Sequence, residues 1–98
     1  MKHKIYLMYL EIVSPEKTLF KGNVSSVAVP GVNGEFEMLN NHAAVISTLK
    51  EGFVKIKGDV TIDEENNSEF QKKEGVYWLP IKSGTIEMNS NKVIVLAD

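Results

Sequence analysis

The chain has 98 residues, a hydrophobic fraction of 43% and a formal net charge of −2. That is one domain with room for a single core. It excludes wholesale disorder, and the 11 scattered Lys and Arg residues lack the basic stripe that nucleic-acid binding needs. Cysteine is absent, which excludes a disulfide scaffold and a cysteine metal site and favours a reducing compartment.

The opening MKHKIYLMYLEIV places basic residues before an apolar run, but the run over 5–10 meets Glu11 after six residues and offers no small-residue cleavage site. It is also far too short to cross a bilayer. The segment reads as a first strand over 6–13, with His3 in the terminal tail. Without a secretory route, the glycosylation sequons at Asn23 and Asn66 carry no weight.

No long segment repeats apolar residues at helical spacing. Short β-branched runs punctuated by Gly, Pro and Asn recur instead, the pattern of a sandwich or barrel. Further strands are predicted at 24–29, 34–39, 44–48, 53–56, 60–63, 76–81, 85–88 and 92–97. Within 34–39, Phe36 and Met38 share one face and Glu35 and Glu37 the other. In the last strand Val93, Ile94, Val95 and Leu96 are all apolar, so it should be covered on both faces or lie centrally. Tyr77 and Trp78 are adjacent and point to opposite sides, one toward the core and one toward the surface.

The joints are equally legible. Pro15 fixes the backbone at a turn after Ser14. Pro30-Gly31 and Asn33-Gly34 bracket a loop, and Asn-Gly is a strong tight-turn pair. Residues 64–74, EENNSEFQKKE, form the one extended polar segment, predicted to be the tip of a long hairpin between 60–63 and 76–81. No repeat or linker divides the chain, so 1–98 is read as a single domain.

Site chemistry is sparse. Asp63, Glu65, Asn67, Glu69 and Glu74 fall on the first, third, fifth, seventh and twelfth positions of a calcium loop, but Ser68 stands where the sharp turn needs Gly. No helices flank the segment, and a solvated hairpin tip is the better reading. His42 is the histidine set in a structured context. Without a nucleophile or orienting carboxylate near it in sequence, it reads as a ring hydrogen-bonded to backbone at a turn, or as a surface contact. The glycines around Val32 and Asn33 lack the Lys-Ser or Lys-Thr of a phosphate loop. No catalytic residue, metal site or cofactor is therefore expected.

Four runs carry a resemblance: 10–22 (LEIVSPEKTLFKG), 24–43 (VSSVAVPGVNGEFEMLNNHA), 49–56 (LKEGFVKI) and 84–98 (GTIEMNSNKVIVLAD). Together they cover more than half of the chain and resemble, in order, the N-terminal β-sandwich domain of the epsilon subunit of the F-type proton-translocating ATP synthase. The chain departs from that pattern at Glu37, where a second glycine is common, at Ala44, where proline is common, and at 59–74, where the hairpin is longer. The family often continues into two C-terminal helices after the Val-Leu-Ala-Asp strand, so the chain resembles a short, sandwich-only form.

The resemblance implies a flattened all-β sandwich of about ten strands and a non-catalytic rotor subunit of the central stalk. It implies docking on the gamma subunit and contact with the ring of c subunits, at the cytoplasmic face of a bacterial inner membrane, with membrane association only through the complex. Carried over by position, the ring-facing loop is Val32, Asn33, Gly34 and Glu35, and the gamma side holds Ser14, His42 and Ser47. The competing reading is a free-standing β-sandwich module for carbohydrate or peptide, to which the polar 64–74 segment would contribute. Under either reading the purified chain is expected to hydrolyse no ATP. A rate above background in a phosphate-release assay would contradict this.

Overall fold

A computed structural model describes residues 7–98; His3 and the residue-6 start of the first predicted strand lie outside the described residues. These residues form ten strands: β1 (Met8–Val13), β2 (Thr18–Val24), β3 (Ser26–Gly31), β4 (Gly34–Leu39), β5 (Val45–Leu49), β6 (Gly52–Lys57), β7 (Gln71–Lys73), β8 (Val76–Ile81), β9 (Gly84–Asn89) and β10 (Lys92–Ala97). A short 3-10 helix spans Glu64–Glu69.

Strand pairing follows the path β2-β1-β10-β9-β5-β3-β6-β8-β7, with β4 on the other side of β3. All pairs are antiparallel except β1 with β10. The path is not a flat sheet. Its two halves, β2-β1-β10-β9-β5 and β4-β3-β6-β8-β7, meet through one register pair, Gly31 opposite Leu49. One apolar cluster takes side chains from every strand except β7, including Leu10, Ile12, Val27, Met38, Ile56, Ile86 and Val95. The shortest dimension, 22 Å, fits two sheets packed about 10 Å apart with their outer side chains. The fold is a flattened β-sandwich, as the resemblance implied.

Period-two patterning explains most of it. In β9, Gly84, Ile86 and Met88 point inward while Thr85, Glu87 and Asn89 are exposed. In β4, Met38 is buried and Glu35 and Glu37 are exposed. β10 is central in its half, between β1 and β9, as its apolar run predicted. Tyr77 packs on the core, while Trp78 takes the opposite face, against Phe53 and the ammonium of Lys55.

Three expectations need correction. No strand was predicted over 18–24, yet β2 forms there and pairs with β1. Leu19 and Phe20 are both buried, which regular alternation forbids. A bulge between Ile12 and Val13 in the register provides the extra residue that turns both inward. Conversely, 60–63 is not a strand. Ile62 is buried and Val60 packs on the core, but the edge of β8 that this segment would need is occupied by β7. Finally, 64–74 is not a hairpin tip. It makes the 3-10 turn and β7, and the reversal is confined to Glu74 and Gly75, at φ 50° and 79°, the left-handed pair of a tight two-residue hairpin.

The 59–70 segment closes the open side of the sandwich. Asn66 is 2% exposed and its Nδ2 donates to the carbonyl of Thr18 on β2 at 3.2 Å. Lys17 pairs with Glu69 at 3.4 Å, and Phe70 meets Tyr77 edge to face, with ring centroids 6.3 Å apart. The turn thus bridges the β2 edge of one half to the β7–β8 edge of the other, with Ile62 and Phe70 plugging the gap. Phe70→Ala is expected to destabilise the fold by about 3 kcal/mol, measured by urea denaturation; a loss below about 1 kcal/mol would show that the plug is dispensable.

Candidate functional site

The register of β3 with β4 ends at Gly31 opposite Gly34, so Val32 and Asn33 are the two residues of the turn. Gly34 sits at φ +124°, a backbone region that side-chain-bearing residues avoid. The tip is apolar: Val32 is 49% exposed. Its base is bonded to the next strand, with Val32 N–H donating to the Thr48 carbonyl at 3.2 Å and Lys50 N–H to that of Pro30 at 2.8 Å. Glu35, the first charged residue after the turn, pairs with Lys55 at 2.9 Å. Glu37 pairs with Lys57 at 3.4 Å and accepts a bond from Ser26 Oγ at 2.9 Å. Of the predicted ring-facing set, then, Val32, Asn33 and Gly34 present a small rigid tip, and Glu35 stands beside it already paired.

The three residues predicted for the gamma side lie on the other half of the sandwich and are not clustered. Ser14 closes the β1–β2 turn: its N–H and Oγ both donate to the Lys17 carbonyl, at 2.8 and 3.1 Å. Ser47 lies mid-β5, half-buried, opposite Ile86. His42 is exposed in the corner between β4 and β5, and its Nδ1–H donates to the Ala43 carbonyl at 2.8 Å, which is the backbone-bonded ring that the sequence predicted. Leu49 pairs with Gly84, Gly84 with Ala97 and Leu96 with Val13. Ser14 is therefore at the Leu49 end of this sheet, and His42 is beyond the opposite end of β5.

Asn91 holds that second end together. Its Oδ1 accepts from Asn41 N–H at 2.7 Å, its Nδ2 donates to Asn40 Oδ1 at 2.6 Å, and its carbonyl accepts from Tyr9 N–H at 2.9 Å. Asn41, Ser90 and Asn91 have φ of 64°, 51° and 62°, which asparagine tolerates better than most residues.

Sequence reasoning missed the surface between these positions. On the outward face, Ile46 stands opposite Glu87, Glu87 opposite Ile94 and Ile94 opposite Glu11; one row along, Thr48, Thr85, Leu96 and Val13 follow each other. Ile46 is 84% exposed and Leu96 52%. The unbroken apolar run in β10 was the available signal, since alternation alone would have made Ile94 and Leu96 polar. Tyr9 lies on the same face, bonded to Glu11 at 3.1 Å. Desolvation first, then the bond to Glu11 and its charge, push the phenol above its ordinary value. No group of three His, Cys, Asp or Glu side chains that could hold a metal occurs among the described residues. Two surfaces stand out: an outward sheet face on which exposed Ile46 and Leu96 alternate with Glu and Thr side chains, and a tight turn with a paired carboxylate.

A family model described as ATP synthase, Delta/Epsilon chain, beta-sandwich domain matches residues 7–98. The ATP synthase epsilon chain of Campylobacter curvus is 37% identical over 91 residues, which are 93% of this chain and 60% of that protein. The epsilon chain of Chlorobaculum tepidum is 34% identical over 89 residues, 91% of this chain and 86% of that protein. The chain thus spans about 60% of the length of the Campylobacter relative and most of the Chlorobaculum one. Among solved structures, the central stalk and c-ring of Tetrahymena thermophila mitochondrial ATP synthase aligns with a TM-score of 0.65 at 16% identity, covering 99% of this chain and 66% of that one. The Euglena gracilis mitochondrial assembly aligns at 0.70 and 15%, covering 93% and 50%; at such identities these matches speak for the fold alone. With the family model spanning every described residue and these relatives above 30% identity, the chain belongs to the ATP synthase delta/epsilon chain β-sandwich family.

Proposed function

We propose that this chain is a non-catalytic subunit of the rotor of an ATP synthase, docked on the gamma subunit and touching the c ring, so that proton translocation is coupled to ATP synthesis. Family membership carries this reading. On this reading the domain, taken as one unit over 1–98, sits at the cytoplasmic face of a bacterial inner membrane, held there through the complex.

The gamma-docking surface is the outward face of β5, β9, β10 and β1. Ile46, Ile94, Leu96 and Val13 supply its apolar area, Ser14 and His42 lie at its two ends, and Ser47 lies within β5 behind Ile46. An exposed apolar face on central strands is costly to leave in water, and a partner that covers it gives the run in β10 its purpose. The ring-facing element is the Val32–Asn33 turn with Gly34 and Glu35. Both surfaces meet in β5: Ile46 faces gamma, and two residues later the Thr48 carbonyl accepts the Val32 N–H. A torque applied at the turn therefore reaches the gamma face through strand backbone, with no flexible linker between.

Ile46→Asp tests this reading. The residue is 84% exposed, so the fold should keep its thermal midpoint, while a charge set in an apolar interface should weaken binding to purified gamma subunit about tenfold or more in calorimetric titration. Unchanged affinity with an intact fold would move the docking surface elsewhere.

A further inference from the structure

We propose that Lys55, seated on Trp78, is the positioning residue for Glu35, so that the turn presents its partner with a carboxylate fixed and neutralised within this chain. This rests on reading the turn as the ring contact.

The geometry is specific. Glu35 is on β4 and Lys55 on β6, with β3 between them. Glu35 is opposite Pro30 and Lys55 opposite Ala28, so two strand spacings and a two-residue offset separate their backbones by about 12 Å. The pair can close at 2.9 Å only if both side chains lie down diagonally across β3. The residues of β3 beneath them allow it: Ala28 is small and 7% exposed, and Pro30 is buried. Lys55 is held from the far side as well. Its ammonium lies 4.3 Å from the centre of the Trp78 ring, a favourable cation–π distance. The ring is itself fixed by the edge contact with Phe53 at 5.3 Å. Trp78 Nε1 finds no hydrogen-bond partner among the described residues, so face and edge contacts are what hold the indole.

Burial separates the two partners. The Lys55 side chain is 24% exposed and that of Glu35 51%. Lysine is the anchored member and glutamate the presented one. Glu37 is the residue directly across Ala28 from Lys55, but it bonds to Lys57 and Ser26 instead. Lys73 lies over the same indole at 4.9 Å, adding positive charge that favours a carboxylate at Glu35. A free surface glutamate samples many rotamers; this one is held across β3 at the shoulder of the turn by its pair with Lys55. Replacing Glu35 by lysine would set two ammonium groups against each other, so glutamine is the cleaner probe.

The test uses the assembled ATP synthase carrying Glu35→Gln, Lys55→Met, both together, or Lys55→Arg, and reads proton pumping per ATP hydrolysed. Glu35→Gln and Lys55→Met are each expected to lower that ratio about twofold to fivefold, the size of one rim ion pair. The double variant should be no worse than either single one, and Lys55→Arg should restore the ratio, since arginine keeps both the ion pair and the stacking. A defect of general packing would not be rescued this way. If Glu35→Gln pumps normally, the ring contact falls and this proposal with it. If Glu35→Gln is impaired while Lys55→Met is normal, or if the two losses multiply in the double variant, the contact stands and the positioning role is overturned.

Discussion

Gly31 stands opposite Leu49, and that one register pair joins the two halves of the strand path. Around it, Val32 N–H reaches the Thr48 carbonyl and Lys50 N–H that of Pro30. Within each half the strands are held by ladders of five or six register pairs, apart from β3–β6 and β7–β8 with three each. The seam is therefore where the two sheets acquire a fixed relation, and it requires backbones to approach closely. A Cβ on Gly31 would meet Phe36 at 2.7 Å and the Gly34 carbonyl at 2.8 Å. The same seam seats the β3–β4 turn against β5, so the position of the turn relative to the outward face of β5 is a property of the core rather than of a loop.

The open side opposite the seam is closed differently. No ladder joins β2 to β7; a 3-10 turn crosses the gap with side chains, through Asn66, Lys17 with Glu69, and the apolar pair Ile62 and Phe70. Such a closure is more tolerant of length change than a strand pairing, because it imposes no register.

How much of this was legible in the sequence depends on range. Strands with clean alternation, such as β9, and turns with strong local chemistry, such as Asn33-Gly34, are written in consecutive residues. β2 was not, because burying Leu19 and Phe20 together requires a bulge whose cause lies in register with β1. The segment 60–63 is patterned like a strand and buries its apolar residues, yet pairing depends on an edge that a segment ten residues further on occupies. The site shows the same division. Val32, Asn33, Gly34 and Glu35 could be seen as a turn and its shoulder, but the partner of Glu35 lies two strands away in a topology that the chain order does not reveal. Ile46 likewise reads as one more strand residue until the pairing turns it outward.

The corner at Asn40, Asn41 and His42 is locked by Asn91 through two hydrogen bonds, with left-handed backbone at Asn41, Ser90 and Asn91. Its conformational entropy is lost when the chain folds, not when a partner arrives. Association at that end of the sheet then needs no ordering step, and the backbone should differ between free and assembled protein by less than about 1 Å. Anything bound at that corner would therefore part from it as a whole body, not by a loop peeling away first.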